Sequence, residues 1–188
     1  LPLPFGKAVD TVLPLRYENT LVARPAASGA SPKQDQLLVE LGRLASLAFV
    51  RDLSGPEPRV LRGSIGVGLA TGESAPQPER GVAANINLAS LNIDSWEAVM
   101  SSAAGVSLAS TDSPNGEAAS AQGYFPTVMA VRANELIAGG RTFQRVVVGG
   151  VREGMNWRAN VSADQLNGYV EYRQPSGAGD GRVYARLS

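Results

Sequence analysis

The sequence predicts a mainly β protein: an antiparallel, strongly twisted and curved sheet with one short helix near residues 95–102. Two observations carry this expectation. Apolar and polar residues alternate with period two in one segment after another, the signature of half-buried strands. Turn-forming clusters rich in Gly, Pro, Asn and Asp separate these segments at intervals of about 8–15 residues, the spacing of an antiparallel meander.

The segments follow in order. In the hairpin of residues 35–50, Leu37, Val39 and Leu41 alternate with Gln36 and Glu40. Gly42-Arg43 turns the chain, and Leu44, Ala45, Leu47 and Phe49 lead back. In RVLRGSIGVG (59–68), Leu61, Ile65 and Val67 face one way and Arg62 and Ser64 the other. In GVAANINL (81–88), Val82, Ala84, Ile86 and Leu88 alternate with Asn85 and Asn87. Asp94 followed three residues later by Glu97 reads as a capping box. With Trp96, Val99 and Met100 on one face, it predicts about two helical turns over 95–102. Residues 103–122, rich in Ala, Ser and Gly, bury little and read as a flexible loop. Segments 24–34 and 70–80 are shorter loops of the same kind. Strands resume at 128–136, 141–151, 156–161, 168–173 and 182–187, with Gly139-Gly140 and Glu153-Gly154 as turns. The expected organisation is a first β segment (1–102) ending in the helix, a loop (103–123) and a second β segment (124–188), the two forming one continuous sheet.

Composition removes whole classes of function. The chain has 188 residues, enough for about one domain. Lys plus Arg equals Asp plus Glu at 17 each, and Lys7 and Lys33 are its two lysines. A phosphate-neutralising nucleic-acid binder needs surplus or clustered base, so no nucleic-acid partner is expected. With no Cys and no His, the chain cannot build a Cys or His metal site, a Cys nucleophile or a Ser-His-Asp triad. No cofactor and no enzymatic activity are expected. The glycine-rich run Gly63-Ser64-Ile65-Gly66-Val67-Gly68 lacks the following helix and Lys of a phosphate loop, and reads as a strand with small residues against a neighbour. A Ser-Lys dyad would have to use Lys7 or Lys33, which both lie in Pro/Ser/Gly-flanked loops, and carboxylate chemistry is the other catalytic option. It would need two acidic groups about 5–10 Å apart in a cleft. Trp157, amid polar neighbours, suits a core edge or a lipid-facing rim.

An aliphatic stripe is the feature with functional content. Leu37, Val39, Leu41, Leu61, Ile65, Val67, Val82, Ile86 and Leu88 fall on one face of successive strands. A closed β-sandwich, serving as a non-catalytic module for protein or glycan, would use them as its core. An open curved sheet would present them as an apolar surface beyond the roughly 300–600 Å² patch of an ordinary monomer. Periodicity alone allows both.

Several stretches together carry a family resemblance. They are LPLPFGKAVDTVLPLRYE (1–18), RVLRGSIGVG, PERGVAANINLASLNIDSWEAVM (78–100), FQRVVVGGVREGMNWRANVSADQLNGYVEYRQPSG (143–177) and the terminal GRVYARLS. Their order resembles the YhdP family of AsmA-like proteins of Gram-negative bacteria, across most of the chain apart from the loop 103–123. The resemblance implies a periplasmic protein anchored in the inner membrane, with a taco-like sheet and an apolar groove. It implies phospholipid transport between inner and outer membrane and a role in outer-membrane integrity. The stripe residues would be the lipid-binding face, and phospholipid acyl chains and adjoining segments of the parent chain the partners. Beginning at Leu1, the chain reads as an internal length of such a protein, whose cut sheet edges could pair with a second copy.

Overall fold

Among the described residues ten strands form in chain order: β1 (Leu15–Val22), β2 (Gln34–Leu41), β3 (Ala45–Asp52), β4 (Arg59–Val67), β5 (Gly81–Asn92), β6 (Val128–Ala138), β7 (Arg141–Glu153), β8 (Asn156–Ser162), β9 (Asn167–Arg173) and β10 (Arg182–Leu187). The structure is a computed structural model describing residues 12–22, 33–70, 73, 75–95, 123–174 and 181–188. Each strand hydrogen-bonds to its sequence neighbours, giving a single sheet in the order β1 to β10 that is not closed into a barrel.

Tight turns form where the sequence supplies residues that tolerate positive φ. Gly42 (φ 53°) opens the β2–β3 turn, where Leu44 N–H donates to the Leu41 carbonyl at 3.0 Å. Gly139 and Gly140 (φ 59° and 68°) make the two-residue β6–β7 connection, the backbone that a right-twisted hairpin favours. Strand β1 was not expected. It alternates Leu15, Tyr17 and Leu21 with Arg16, Glu18 and Thr20, and pairs antiparallel with β2 along its full length.

One departure concerns direction. An antiparallel meander was expected throughout, but β4–β5 and β5–β6 pair in parallel. The connections 68–80 and 93–127 are long enough to return the chain to the end where it started, as parallel strands require. Side-chain alternation is the same in both directions, so the pattern carried no sign of this.

The helix differs in its cap. Asn92 Oδ1 accepts from Ser95 N–H at 2.9 Å, and residues 93–95 are helical. Asp94, expected to be the cap, instead accepts from the Gly139 and Gly140 amides at 2.7 and 2.9 Å and so clasps the β6–β7 turn. Those amides hold its carboxyl below the usual range. The remainder of the expected helix, and residues 103–122 of the expected loop, lie outside the described residues.

The sheet has two chemically distinct faces, here called inner and outer. The buried core sits on the inner face of the central strands: Phe49, Val82, Ala84, Leu88, Ala133 and Val146 are all at most 6% exposed. The β4–β5 connection lies on the outer face instead. There Leu69 packs over Gly66, the Gln77 amide donates to the Ala48 carbonyl at 3.4 Å, and Ala75 is buried. A cleft of about 540 Å³ remains between this connection and the outer side chains Leu38, Ser46, Ala48 and Ser64. Among the described residues no helix is long and apolar enough to cross a membrane.

Candidate functional site

Pairing register shows which side chains share a row across the sheet. One inner row runs Tyr17, Val39, Leu47, Ile65 and Ala84 over β1–β5, and continues through Met129, Gly150, Ala159, Val170 and Ala185 over β6–β10. The next row runs Leu15, Leu41, Ala45, Val67 and Ile86, then Val131, Val148, Val161, Gly168 and Leu187. Neither row contains a charged residue. The outer row between them does: Arg16 and Glu40 stand at one end, and Arg186, beside Tyr169, at the other. At about 4.8 Å between strands, each inner row follows about 43 Å of contour.

Polar side chains bound this apolar track along both sets of strand ends. At one rim, Asp35 and Arg51 pair across β2–β3. Arg51 Nε donates to Asp35 Oδ1 at 2.9 Å, Nη2 donates to Oδ2, and Nη1 donates to the Tyr124 hydroxyl at 3.2 Å. The Asp35 side chain is 2% exposed and that of Arg51 14%. The Arg51 hydrogen bond holds the Asp35 carboxyl below its usual range, and the same bond raises the Arg51 guanidinium. Tyr124 also meets Phe49 edge-on at 5.1 Å. Farther along this rim, Arg152, Trp157 and Tyr172 share a row on β7–β9. The Arg152 guanidinium lies 5.7 Å from the Trp157 ring centre, and its Nε and Nη2 donate to the carbonyls of Pro126 and Phe125 at 3.0 and 3.3 Å. The opposite rim carries Ser90, Glu135 and Gln144 in one row, with the Ser90 hydroxyl 3.4 Å from Glu135 Oε1.

Eight of the nine stripe residues fall on the inner face. Leu41, Val67 and Ile86 occupy one row, Val39 and Ile65 the next, and Leu37 and Val82 the row beyond, linked through Phe49 and Gly63. Leu88 pairs with Ala133 on β6. Leu61 is the exception. The register shifts between Val50 and Arg51, so β4 spends an extra residue there and Leu61 has no partner on β3. The glycine-rich run is a strand, and Gly63 leaves room for the Phe49 ring. Trp157 sits at the rim beside Arg152. The stripe omitted the β1 and β6–β10 halves of both rows, although Val131, Val148 and Val161 carried the same alternation.

Hydrogen bonds set the ionisation of four carboxylates. Asp35, Asp52, Asp94 and Glu171 are displaced below the usual range by hydrogen bonds from Arg51, Ser54, the Gly140 and Gly139 amides, and Arg173 respectively. A general acid needs displacement the other way. Among the described residues no group of three or more acidic side chains is placed to hold a metal ion.

Comparison with known proteins gives one match. The model of the YhdP protein family matches residues 1–188. No curated protein and no solved structure matches. The family match covers every strand and both rims of the apolar track, and the chain belongs to the YhdP family.

Proposed function

We propose that the inner face is a length of an apolar groove that carries phospholipid between the inner and outer membranes and so supports outer-membrane integrity. The observation that carries this reading is the pair of uncharged rows crossing all ten strands. Membership of a family of AsmA-like, periplasmic lipid-transport proteins supports it. So does the β4–β5 connection, which lies on the outer face and leaves the inner one clear of it.

The energetics fit. Each acyl CH₂ kept from water is worth about 0.8 kcal/mol, so two chains of about 16 carbons need shelter worth roughly 25 kcal/mol. Aliphatic rows supply this through non-directional contact, which lets a chain slide, whereas hydrogen-bonding groups would hold it in place. Of the stripe residues, the half-buried Leu37, Val39, Leu41, Ile65, Val67 and Ile86 form part of the lipid-facing surface, while Val82 and Leu88 belong to the buried core on the same face. The edge strands leave Leu15 and Val183 67% and 68% exposed, and offer adjoining β strands a place to continue the groove.

Adjacent valines on β7 test the reading. Val148 is in an inner row, whereas Val147 is on the outer face and 48% exposed. Val148→Asp is expected to abolish phospholipid delivery to the outer membrane, and Val147→Asp to leave it intact at equal protein abundance. Full delivery with Val148→Asp would overturn the proposal.

A further inference from the structure

The outer cleft holds a polar group that the fold leaves unused. Ser64 is 7% exposed and lines the cleft, and its hydroxyl has no hydrogen-bond partner among the described residues. Asp35, the other buried polar residue among them, has both carboxylate oxygens paired with Arg51. A buried hydroxyl without a partner is costly, and native proteins pair nearly all of them. We infer that the cleft is a binding site for an extended, uncharged stretch of peptide, which gives the Ser64 hydroxyl its partner. The site lies on the face opposite the groove and stands independently of the groove reading.

Its dimensions fit one strand-like chain. Gln36 and Gly42 both line the cleft, and β2 covers about 20 Å between them at about 3.3 Å per residue. Spread over that length, about 540 Å³ leaves a section about 5 Å across, close to the about 4.8 Å that one extended chain takes in a sheet. The floor is built of small residues, Ser46, Ala48, Ser64 and Gly66, so a backbone can lie close to it. The roof is the β4–β5 connection, held by Leu69 over Gly66 and by the Gln77 amide on the Ala48 carbonyl. The space is therefore formed before a ligand enters.

Peptide is the chemistry this lining favours. An acyl chain offers the Ser64 hydroxyl no hydrogen bond. Among the described residues no aromatic side chain lines the cleft to stack on a sugar ring. Arg43 lines it together with Glu40 and Glu73, so a phosphate or a cationic chain meets no field of one sign. A peptide brings a carbonyl or an amide with every residue. The Ser46 hydroxyl and the Gln36 side-chain amide line the same cleft as Ser64 and are placed to meet them.

The test is affinity selection by the intact purified protein from a mixture of acetylated, amidated hexapeptides built from Ala, Ser, Val and Gln, followed by titration of the most enriched one. Saturable binding is expected. Ser64→Ala should weaken it about fivefold, the effect of one hydrogen bond worth about 1 kcal/mol. The same variant should leave the urea midpoint unchanged or raise it, because no partner within the fold is lost. Ala48→Trp fills the slot and should abolish binding. Where Ala48→Trp does not fold, Ser64→Ala alone decides. Enrichment of no peptide, or binding as tight in Ser64→Ala as in the wild type, overturns the proposal. So does a pyrene-labelled fatty acid that the wild type binds and Ala48→Trp does not, since the cleft would then be a lipid site.

Discussion

Removing the Asp35 carboxylate tests how the groove rim is held. In Asp35→Ala, Arg51 keeps its place beneath Tyr124 but loses both carboxylate acceptors. Its side chain is 14% exposed, so water replaces little of the loss. Breaking a buried pair in this way costs about 3–5 kcal/mol. The lower end applies here, because the Tyr124 hydroxyl still accepts one N–H, and about 3 kcal/mol is expected. With a slope of about 1–3 kcal/mol/M, that lowers the urea midpoint by about 1–3 M. The double variant Asp35→Leu, Arg51→Met removes both charges and should recover most of the loss, since well-packed apolar replacements of buried pairs are often neutral. The pair also sets a pH dependence. The folded-state pKa of Asp35 lies below its unfolded value of about 3.9. Its contribution is therefore complete above that value and is lost as pH falls through the lower folded value. Asp35→Ala lacks this acid-labile component. A midpoint shift worth less than about 1 kcal/mol, or a double variant as unstable as the two single variants summed, would refute the reasoning.

Other perturbations have equally definite outcomes. Asp94→Ala frees the Gly139 and Gly140 amides, and their hydrogen exchange should quicken while the central strands keep their protection. In the wild type the same two amides should lose protection as pH falls through the depressed Asp94 value. Gly68→Ala combines a left-handed backbone (φ 63°) with overlap between the new Cβ and the Asn87 carbonyl oxygen. It should cost more than about 1–3 kcal/mol in urea unfolding, beyond the strain of the backbone alone. Val82→Ala removes two carbons from a fully buried side chain and should cost about 2 kcal/mol by the same measurement.

How much of this was legible in the sequence depends on the range of the interaction. The hairpins were legible because turn and alternation are local: Gly42, Gly139-Gly140 and Gly154 each sit between period-two segments and each takes a positive φ. The inner face was legible for β2, β4 and β5, because Val39, Ile65 and Ile86 keep their parity whatever their partner. Strand direction was not legible, since parallel and antiparallel partners need the same alternation. Nor was the shift that leaves Leu61 without a partner, because a bulge is a mismatch between two strands and leaves no mark on either one alone. The rim cluster joins Arg51 to Asp35 and to Tyr124, 16 and 73 residues away, and only the pairing of β2 with β3 and the approach of the segment before β6 bring them together. Asp94 shows the same limit on a smaller scale. Its spacing to Glu97 fits a cap, but the two glycine amides it accepts from lie 45 and 46 residues on.

Site-specific capture of lipid on β2 tests the central claim most directly. Val39 stands in an inner row, and its neighbour Leu38 lines the outer cleft. With a photoreactive residue at each position in turn, in the intact protein in its native cells, phospholipid should be captured at Val39 and not at Leu38. Lipid at neither position, with replacement of Val39 lowering stability as it would in a filled core, would contradict the account and make this sheet part of a closed binding module.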